Sequence, residues 1–234
     1  HRDLHLSLRR QRQMCIRDRF KKNKVNYFKG KGVLFSKNDV VVYENNNKRT
    51  NIKAKNIVIA TGSDVASIPG VNIDEKNIVS STGALSFNKV PKKLAIIGGG
   101  YIGLEMGSVW SRLGSEVTVI EYLEYITPGM DREISNEFQK ILTKQGIKFK
   151  MGSKVESVKN KGNLVSIKYS NVKNSKEETI EVDKVLVSVG RKPYTEGLHL
   201  AKIGIKKDKK GRIEVNSKLQ TSIKNIYAIG DVIK

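Results

Sequence analysis

The stretch Gly98-Gly-Gly100-Tyr-Ile-Gly103 has the most specific chemical pattern in the sequence. It follows the apolar segment Leu94–Ile97, which predicts a strand, and opens the segment Ile102–Leu113, which predicts a helix. Gly98 allows a tight turn, Gly100 lets the backbone approach a pyrophosphate, and Gly103 lets the helix pack closely on the strand. The N–H groups at a helix start attract phosphates. The pattern therefore predicts a dinucleotide site.

An acidic residue stands where such a site needs one. Glu121 lies 23 residues after Gly98 and follows the predicted strand Val117–Ile120, so we expect it to accept hydrogen bonds from ribose hydroxyls. No Arg occurs in Tyr122–Ile126, so a 2′-phosphate would meet an uncompensated carboxylate. This favours NAD over NADP, and the alternative is a solvated carboxylate at a strand end.

Three further motifs follow predicted strands. They are Ala60-Thr-Gly62-Ser63, Val187-Ser-Val-Gly190-Arg-Lys-Pro193 and Ile226-Tyr-Ala-Ile-Gly230-Asp231. Each alone is compatible with an ordinary loop after a strand. Together and in this order, the chain resembles the two-dinucleotide flavoprotein disulfide reductases, in which an NAD domain is inserted into an FAD domain.

Within that family the resemblance is to the dihydrolipoamide dehydrogenases and runs from about Phe20 to the end. It is carried by Ser81–Leu85, Gly103–Gly114 with its Gly-Ser-Val-Trp sequence, Lys140–Gly146 and Val189–Pro193. The resemblance implies an enzyme that oxidises dihydrolipoamide through a cysteine pair and FAD, with reduction of NAD⁺.

The resemblance also implies which residues contact the two cofactors. For NAD they are Gly98, Gly99, Gly100, Tyr101, Ile102, Gly103, Leu104, Glu105, Glu121, Val155 and Gly190. For FAD they are Gly32, Thr61, Gly62, Ser63 and Asp231. Val155 would offer apolar and backbone contact to the adenine, Glu105 would sit near the nicotinamide and flavin, and Asp231 would bind a ribityl hydroxyl.

Two side chains need separate comment. Tyr101 stands where the lipoamide enzymes usually carry a smaller aliphatic residue and where glutathione reductases carry a tyrosine that covers the flavin. Either a gating role or a half-buried tyrosine at a helix start is compatible with this position. His199 matches no catalytic base of the family and is expected at the surface.

The sequence lacks the residues that perform the thiol chemistry of the family. Cys15 is the only cysteine, and we find no CxxxxC pair, no glycine fingerprint for FAD and no His-Glu base. We therefore expect no catalytic residue among the 234 residues, and no lipoamide turnover by this polypeptide alone. One Cys and three His residues also argue against a metal site.

Other functions stay open at this stage. A related glutathione or mercuric reductase is the near alternative, and a non-catalytic nucleotide-binding module or a basic nucleic-acid binder is the distant one. The formal charge of +21 suggests nucleic-acid binding, but the lysines are scattered through turns and solvent faces, which argues against it.

For the parent enzyme we expect a homodimer that acts on the dihydrolipoamide of 2-oxo acid dehydrogenase or glycine cleavage complexes, without nucleic-acid or membrane partners. The expected location is the bacterial cytoplasm or the mitochondrial matrix.

The pattern along the chain predicts an α/β protein, in which a Rossmann-like NAD-binding domain is inserted in an incomplete FAD-binding domain with a β-meander. Residues 1–19 are Arg-rich and differ from the Lys-rich remainder, so we interpret them as a non-native or unstructured extension. Residues 20–77 are assigned to the partial FAD domain, 78–196 to the NAD domain and 197–234 to the return segment. Strands are predicted at Val25–Phe28 and Val40–Tyr43, and an exposed antiparallel sheet at Lys154–Lys159 and Leu164–Tyr169.

Overall fold

The computed structural model describes residues 16–44 and 48–234. The chain forms two compact units, the first from the residues up to Gly62 together with Pro193–Lys234, and the second from Ser63–Lys192. Residues 16–22 are helical, and the rest of the predicted extension lies outside the described residues. The chain is a mixed α/β protein in which the second unit is inserted in the sequence of the first, and this confirms the predicted fold class.

The elements are numbered along the chain. The strands are β1 (Lys31–Leu34), β2 (Asp39–Tyr43), β3 (Arg49–Lys53), β4 (Ile57–Ile59), β5 (Ser63–Val65), β6 (Ile78–Val79), β7 (Lys93–Ile97), β8 (Glu116–Ile120), β9 (Lys148–Lys150), β10 (Ser153–Asn160), β11 (Val165–Asn171), β12 (Glu177–Val182), β13 (Lys184–Val187), β14 (Arg191–Pro193) and β15 (Ile226–Ala228). Besides the helical residues 16–22, the α-helices are α1 (Ser81–Ala84), α2 (Tyr101–Arg112) and α3 (Arg132–Lys144), with short 3₁₀ turns at Leu200–Ile203 and Gly230–Val232.

The second unit contains a five-stranded parallel sheet in the order β6-β13-β7-β8-β9. The chain runs from β7 through α2 to β8 and through α3 to β9, and β13 then pairs with the other side of β7. The direction of winding therefore reverses between β7 and β13. In open α/β sheets ligands bind outside the carboxyl ends of the strands at such a point.

Two apolar layers cover this sheet. On one face Leu94 and Ile96 pack with Leu104 and Trp110 of α2. On the other face, Ala95, Ile97 and Ile120 pack with inward residues of the antiparallel sheet β10-β11-β12, which include Val158, Ile167 and Tyr169. The predicted antiparallel sheet is thus present, but one of its faces is buried, so its description as exposed was wrong.

The start of the second unit differs from the predicted domain boundary. The compact unit begins at Ser63 rather than at residue 78. The reason is that Ile68, Val71 and Ile73 pack into the core between the parallel and antiparallel sheets. No strand or helix pattern marks this segment in the sequence, so the sequence alone does not indicate that it packs with the second unit.

The first unit contains the antiparallel meander β1-β2-β3 and the parallel pair β4-β15. Ile57, Ile59 and Ile226 lie in one apolar cluster with Leu34 and Ile213. The strand predicted at Val25–Phe28 was wrong, because these residues form an irregular segment. The pairing of β4 with β15 shows that residues before and after the inserted unit fold together, as predicted.

Candidate functional site

A cleft of about 830 Å³ lies in the second unit, at the carboxyl ends of the parallel strands. Segments that follow β7, β8, β9 and β13 contribute to its walls. Its lining residues are Ile68, Pro69, Ile97, Gly98, Gly100, Tyr101, Ile102, Ile120, Glu121, Tyr122, Leu123, Thr127, Pro128, Met130, Ser153, Lys154, Val155, Glu156, Ser188, Val189, Gly190 and Arg191. The cleft includes the reversal point between β7 and β13, where ligands of such sheets bind.

The glycine turn after β7 has a different steric requirement at each glycine. Gly98 has φ +107°, and a Cβ there would lie 2.6 Å from Ser188 O. At Gly103 a Cβ would lie 2.5 Å from both Gly98 O and Ser188 Oγ. Gly100 has φ −77° and ψ 172°, and no protein atom lies within 4 Å of its Cβ position. Gly98 and Gly103 are therefore needed by the fold, whereas Gly100 leaves space at the cleft.

The start of α2 suits an anion. Gly100 is the N-cap residue and provides no side-chain hydrogen bond, and no acidic side chain lies in the first turn. The first N–H groups of a helix lack partners within the helix, and the helix dipole adds partial positive charge there. Tyr101 and Ile102, the first two residues of the helix, line the cleft. A pyrophosphate could occupy this position without meeting an unfavourable charge from the first turn.

Glu121 follows β8 directly and is 8% exposed. Its Oε2 accepts a hydrogen bond from Gly99 N at 2.5 Å, and its Oε1 accepts one from Leu123 N at 2.8 Å. A carboxylate can accept about four hydrogen bonds, so both oxygens retain capacity for ligand hydroxyls. The carboxylate therefore does two things: it shapes the glycine turn and lines the cleft.

Further parts of the cleft wall come from β10 and from the loop after β13. Val155 lies in β10 beside an irregularity in its pairing with β11, between Val155 and Ser157. Such bulges occur often next to active sites, where they redirect a side chain. Hydrogen bonds from the Ser170 hydroxyl and the Lys154 ammonium lower the pKa of the adjacent Glu156. Val155 and Gly190, for which the family resemblance implies NAD contacts, both line the cleft.

Four residues predicted to contact NAD do not line the cleft. Gly99 and Gly103 lie behind its wall, and Leu104 is buried in the core beneath α2 with its N–H donated to Gly100 O at 3.1 Å. Glu105 lies one turn after Tyr101 on the exposed face of α2. Tyr101 itself is 66% exposed at the rim, so the expectation of a half-buried tyrosine was wrong, while its gating role stays a prediction.

The residues predicted to contact FAD fall into three places. Thr61 and Gly62 follow β4, and Asp231 follows β15, so the parallel pairing places them at one edge of the first unit. Thr61 Oγ1 donates to Tyr194 O at 2.6 Å. Gly32 lies in β1 of the separate meander. Ser63 lies in the second unit, where its Oγ accepts a hydrogen bond from Arg191 Nε at 2.6 Å.

Several cleft residues were missed by the sequence analysis. Ile68 and Pro69 come from a segment without regular structure, and Thr127 and Met130 come from the loop after Glu121. Arg191 was part of a recognised motif but had no assigned role. The usable signal was position, because residues that follow a parallel strand at its carboxyl end lie close to the ligand in this type of sheet.

Other types of site find no support in the described part of the chain. Across residues 16–44 and 48–234, no group of three or more His, Cys, Asp or Glu side chains is arranged to hold a metal ion. The helices in the same ranges are too short or too polar to cross a membrane. His199 is exposed, which confirms its assignment to the surface.

Comparisons with known proteins all point to the same family. The family model described as pyridine nucleotide-disulphide oxidoreductase matches residues 6–234. The mitochondrial dihydrolipoyl dehydrogenase of Pisum sativum is 54% identical over 214 residues, which are 92% of this chain and 43% of the pea protein. Leghemoglobin reductase of Glycine max is 54% identical over 214 residues, which are 92% of this chain and 41% of the soybean protein.

A solved structure shows the same fold. The HOCl-induced flavoprotein disulfide reductase RclA from Escherichia coli matches with a TM-score of 0.79 and 30% identity, over 89% of this chain and 46% of that protein. The chain thus spans less than half the length of the curated relatives and of the solved structure that it matches.

Proposed function

Because the chain belongs to the pyridine nucleotide-disulphide oxidoreductase family, we propose that its cleft binds NAD⁺ and NADH as part of a dihydrolipoyl dehydrogenase. One observation carries the proposal: the turn Gly98–Gly100 opens α2 at the point where the sheet reverses its winding, and Gly98 and Gly100 line the cleft together with Glu121. This combination provides a pyrophosphate position and a ribose acceptor in one cavity.

Each part of the dinucleotide has a candidate partner. The N–H groups at the start of α2 bind the pyrophosphate, because Gly100 leaves room for it. Glu121 accepts hydrogen bonds from the adenosine ribose hydroxyls, and Val155 packs against the adenine. Gly190, Tyr101 and the exposed Glu105 lie towards the nicotinamide. Bound NAD⁺ would supply the hydride acceptor, and the protein residues align and enclose it.

The first unit is proposed to contribute to FAD binding. Thr61, Gly62 and Asp231 lie at the shared edge of β4 and β15, where Asp231 would accept a hydrogen bond from a ribityl hydroxyl. Gly32 and Ser63 are proposed as further contacts. Ser63 Oγ also accepts a hydrogen bond from Arg191 Nε, which fixes the position of its side chain.

For the whole enzyme, we propose oxidation of dihydrolipoamide with reduction of NAD⁺. Its partners would be the lipoyl groups of 2-oxo acid dehydrogenase or glycine cleavage complexes, and its assembly a homodimer. The pea relative is named as mitochondrial, which supports a mitochondrial matrix location, with the bacterial cytoplasm as the alternative. The equal identity of leghemoglobin reductase means that sequence identity alone does not select the electron acceptor or donor.

A nucleotide titration tests the proposal. The formal charge of +21 attracts anions without specificity, so binding should be measured at two salt concentrations. NADH should bind the 234-residue chain more tightly than NADPH, and a single-stranded oligonucleotide should lose affinity far more steeply with salt. Equal affinity for NADH and NADPH would contradict the role of Glu121. Absence of NADH binding by the folded chain would refute the proposed site.

A further inference from the structure

Thr127 has an unusual backbone conformation at the edge of the cleft. Its φ is +51°, and among the described non-glycine residues with positive φ it is the β-branched one. A β-branched side chain rarely adopts this conformation, and Pro128 restricts the preceding backbone further. Such conformations persist where surrounding contacts impose them, and they occur often at ligand sites. The contacts of Thr127 should therefore show which interactions hold its backbone in this conformation.

The side chain of Thr127 forms a buried hydroxyl pair. Thr127 is 5% exposed, Ser135 is 1% exposed, and their hydroxyl oxygens lie 2.8 Å apart. The Ser135 hydroxyl donates to Asp131 O at 2.9 Å. Because a serine hydroxyl has one hydrogen to donate, Thr127 is the donor in the pair. The pair ties the loop after β8 to the beginning of α3.

The backbone of Thr127 holds the glycine turn. Thr127 N donates to Gly99 O at 2.8 Å, while Gly99 N donates to Glu121 Oε2 at 2.5 Å. Both polar backbone groups of Gly99 are thus bound by the segment that begins at Glu121 and ends at Thr127. This segment and its continuation through Met130 form part of the cleft wall. The distance between the glycine turn and that wall depends on these bonds.

We infer that Thr127 is a positioning residue for the dinucleotide. Its hydroxyl, anchored on Ser135, keeps the strained loop in place, and the loop keeps Gly99 and Glu121 in a geometry suited to the pyrophosphate and ribose. This inference rests on the proposed function of the cleft. A site formed before the ligand arrives avoids the ordering cost of binding, so loss of the anchor should weaken nucleotide binding.

The direct test is removal of the hydroxyl. Thr127→Val retains the β-branched shape and removes the donor to Ser135. The dissociation constant for NADH should rise about three- to tenfold, the range expected for one ordinary hydrogen bond. Thr127→Ser keeps the hydroxyl and should restore affinity. Ser135→Ala should weaken NADH binding by a similar factor, and the Thr127→Val/Ser135→Ala double variant should bind no more weakly than either single variant.

A glycine variant separates positioning from simple stabilisation. Thr127→Gly relieves the left-handed strain, so its thermal transition should fall less than that of Thr127→Val. It lacks the anchor, so NADH binding should still be weakened. If Thr127 only stabilises the fold, the NADH affinity of each variant should follow its thermal stability, and Thr127→Gly should bind NADH better than Thr127→Val. That order would overturn the inference.

Thr221→Val is the matched control. Thr221 is buried in the first unit, and its hydroxyl donates to Ile223 O at 3.2 Å. Its substitution should lower the thermal transition and leave the NADH dissociation constant unchanged. If wild-type chain binds NADH and folded Thr127→Val binds equally well, the inference fails and the proposed function stands. If folded wild-type chain does not bind NADH, both fail.

Discussion

Replacement of Gly100 by alanine should separate nucleotide binding from folding. Gly100 has backbone angles that alanine also adopts, and its Cβ position has no protein atom within 4 Å. Loss of glycine freedom in the unfolded chain stabilises the variant by about 0.4–1 kcal/mol. Alanine is a poorer N-cap than glycine, and this costs roughly 0.5–1 kcal/mol. These effects nearly cancel, so the thermal transition should shift by no more than about 4 °C.

The effect on NADH binding should be larger. The new methyl group would occupy the space through which the pyrophosphate reaches the N–H groups at the start of α2. Hydrogen bonds to charged groups contribute about 1.5–3 kcal/mol each. Loss of one such bond corresponds to a decrease of affinity by roughly 10- to 150-fold. NADH titration by calorimetry or fluorescence, together with a melting curve on the same sample, measures both quantities.

Gly103→Ala provides the contrasting variant. A Cβ at Gly103 would lie 2.5 Å from Gly98 O and 2.9 Å from Ile96 Cγ2, and the backbone oxygen cannot move aside easily. Overpacking of this kind costs roughly 1–3 kcal/mol. Gly103→Ala should therefore lower the thermal transition clearly, whereas Gly100→Ala should lose binding with the thermal transition nearly unchanged. Unchanged NADH affinity in folded Gly100→Ala would refute the pyrophosphate position and with it the main support for the proposed function.

Three further predictions concern the cleft, a carboxylate in the loop before β6 and the core between the two sheets. Glu121→Gln leaves one acceptor for the N–H groups of Gly99 and Leu123, so NADH affinity should fall and stability should decrease by about 1–3 kcal/mol, as measured by titration and urea unfolding. Burial raises the pKa of Asp74, but backbone N–H groups and the Asn160 amide lower it to about 2 from 3.8. The resulting stabilisation is at most about 2 kcal/mol, because water screens this partly exposed carboxylate. It is present above about pH 4 and lost as the pH falls towards 2, so Asp74→Asn should flatten acid unfolding curves in this interval. Ile167→Ala, in the core between the two sheets, should cost about 2–5 kcal/mol in urea unfolding, and a value below 1 kcal/mol would contradict its packing role.

The local parts of the fold were predictable because they depend on short-range patterns. The strand before Gly98, the helix after it and the strand before Glu121 follow from apolar spacing and glycine positions. Apolar spacing alone does not identify the buried side of a helix. Ile134 and Ile141 share the helical period of α3, yet they are 57% and 51% exposed. The core face depends on which elements pack together, and that is a long-range property.

The candidate site was predictable to a similar extent. Its glycines and acidic residue form a recognisable local motif, and their roles in binding stay a proposal. The position of Thr127 in the cleft depends on hydrogen bonds to Gly99 and Ser135, which come from different elements. Nothing in the sequence around Thr127 indicates a left-handed backbone, because threonine and the following proline both disfavour it. Only the assembled loop supplies the contacts that hold it.

The two hydrogen bonds of Glu121 connect cofactor preference to the structure of the site. NADPH would bring a 2′-phosphate close to this carboxylate, so acceptance of NADPH requires removal of the negative charge. Removal also leaves Gly99 N and Leu123 N without their acceptor, and the glycine turn loses one of the two bonds that hold Gly99. Glu121→Ala with a nearby arginine should therefore narrow the preference for NADH mainly by weakening NADH binding. A change to true NADPH specificity needs a new acceptor for Gly99 N as well as a cation for the phosphate.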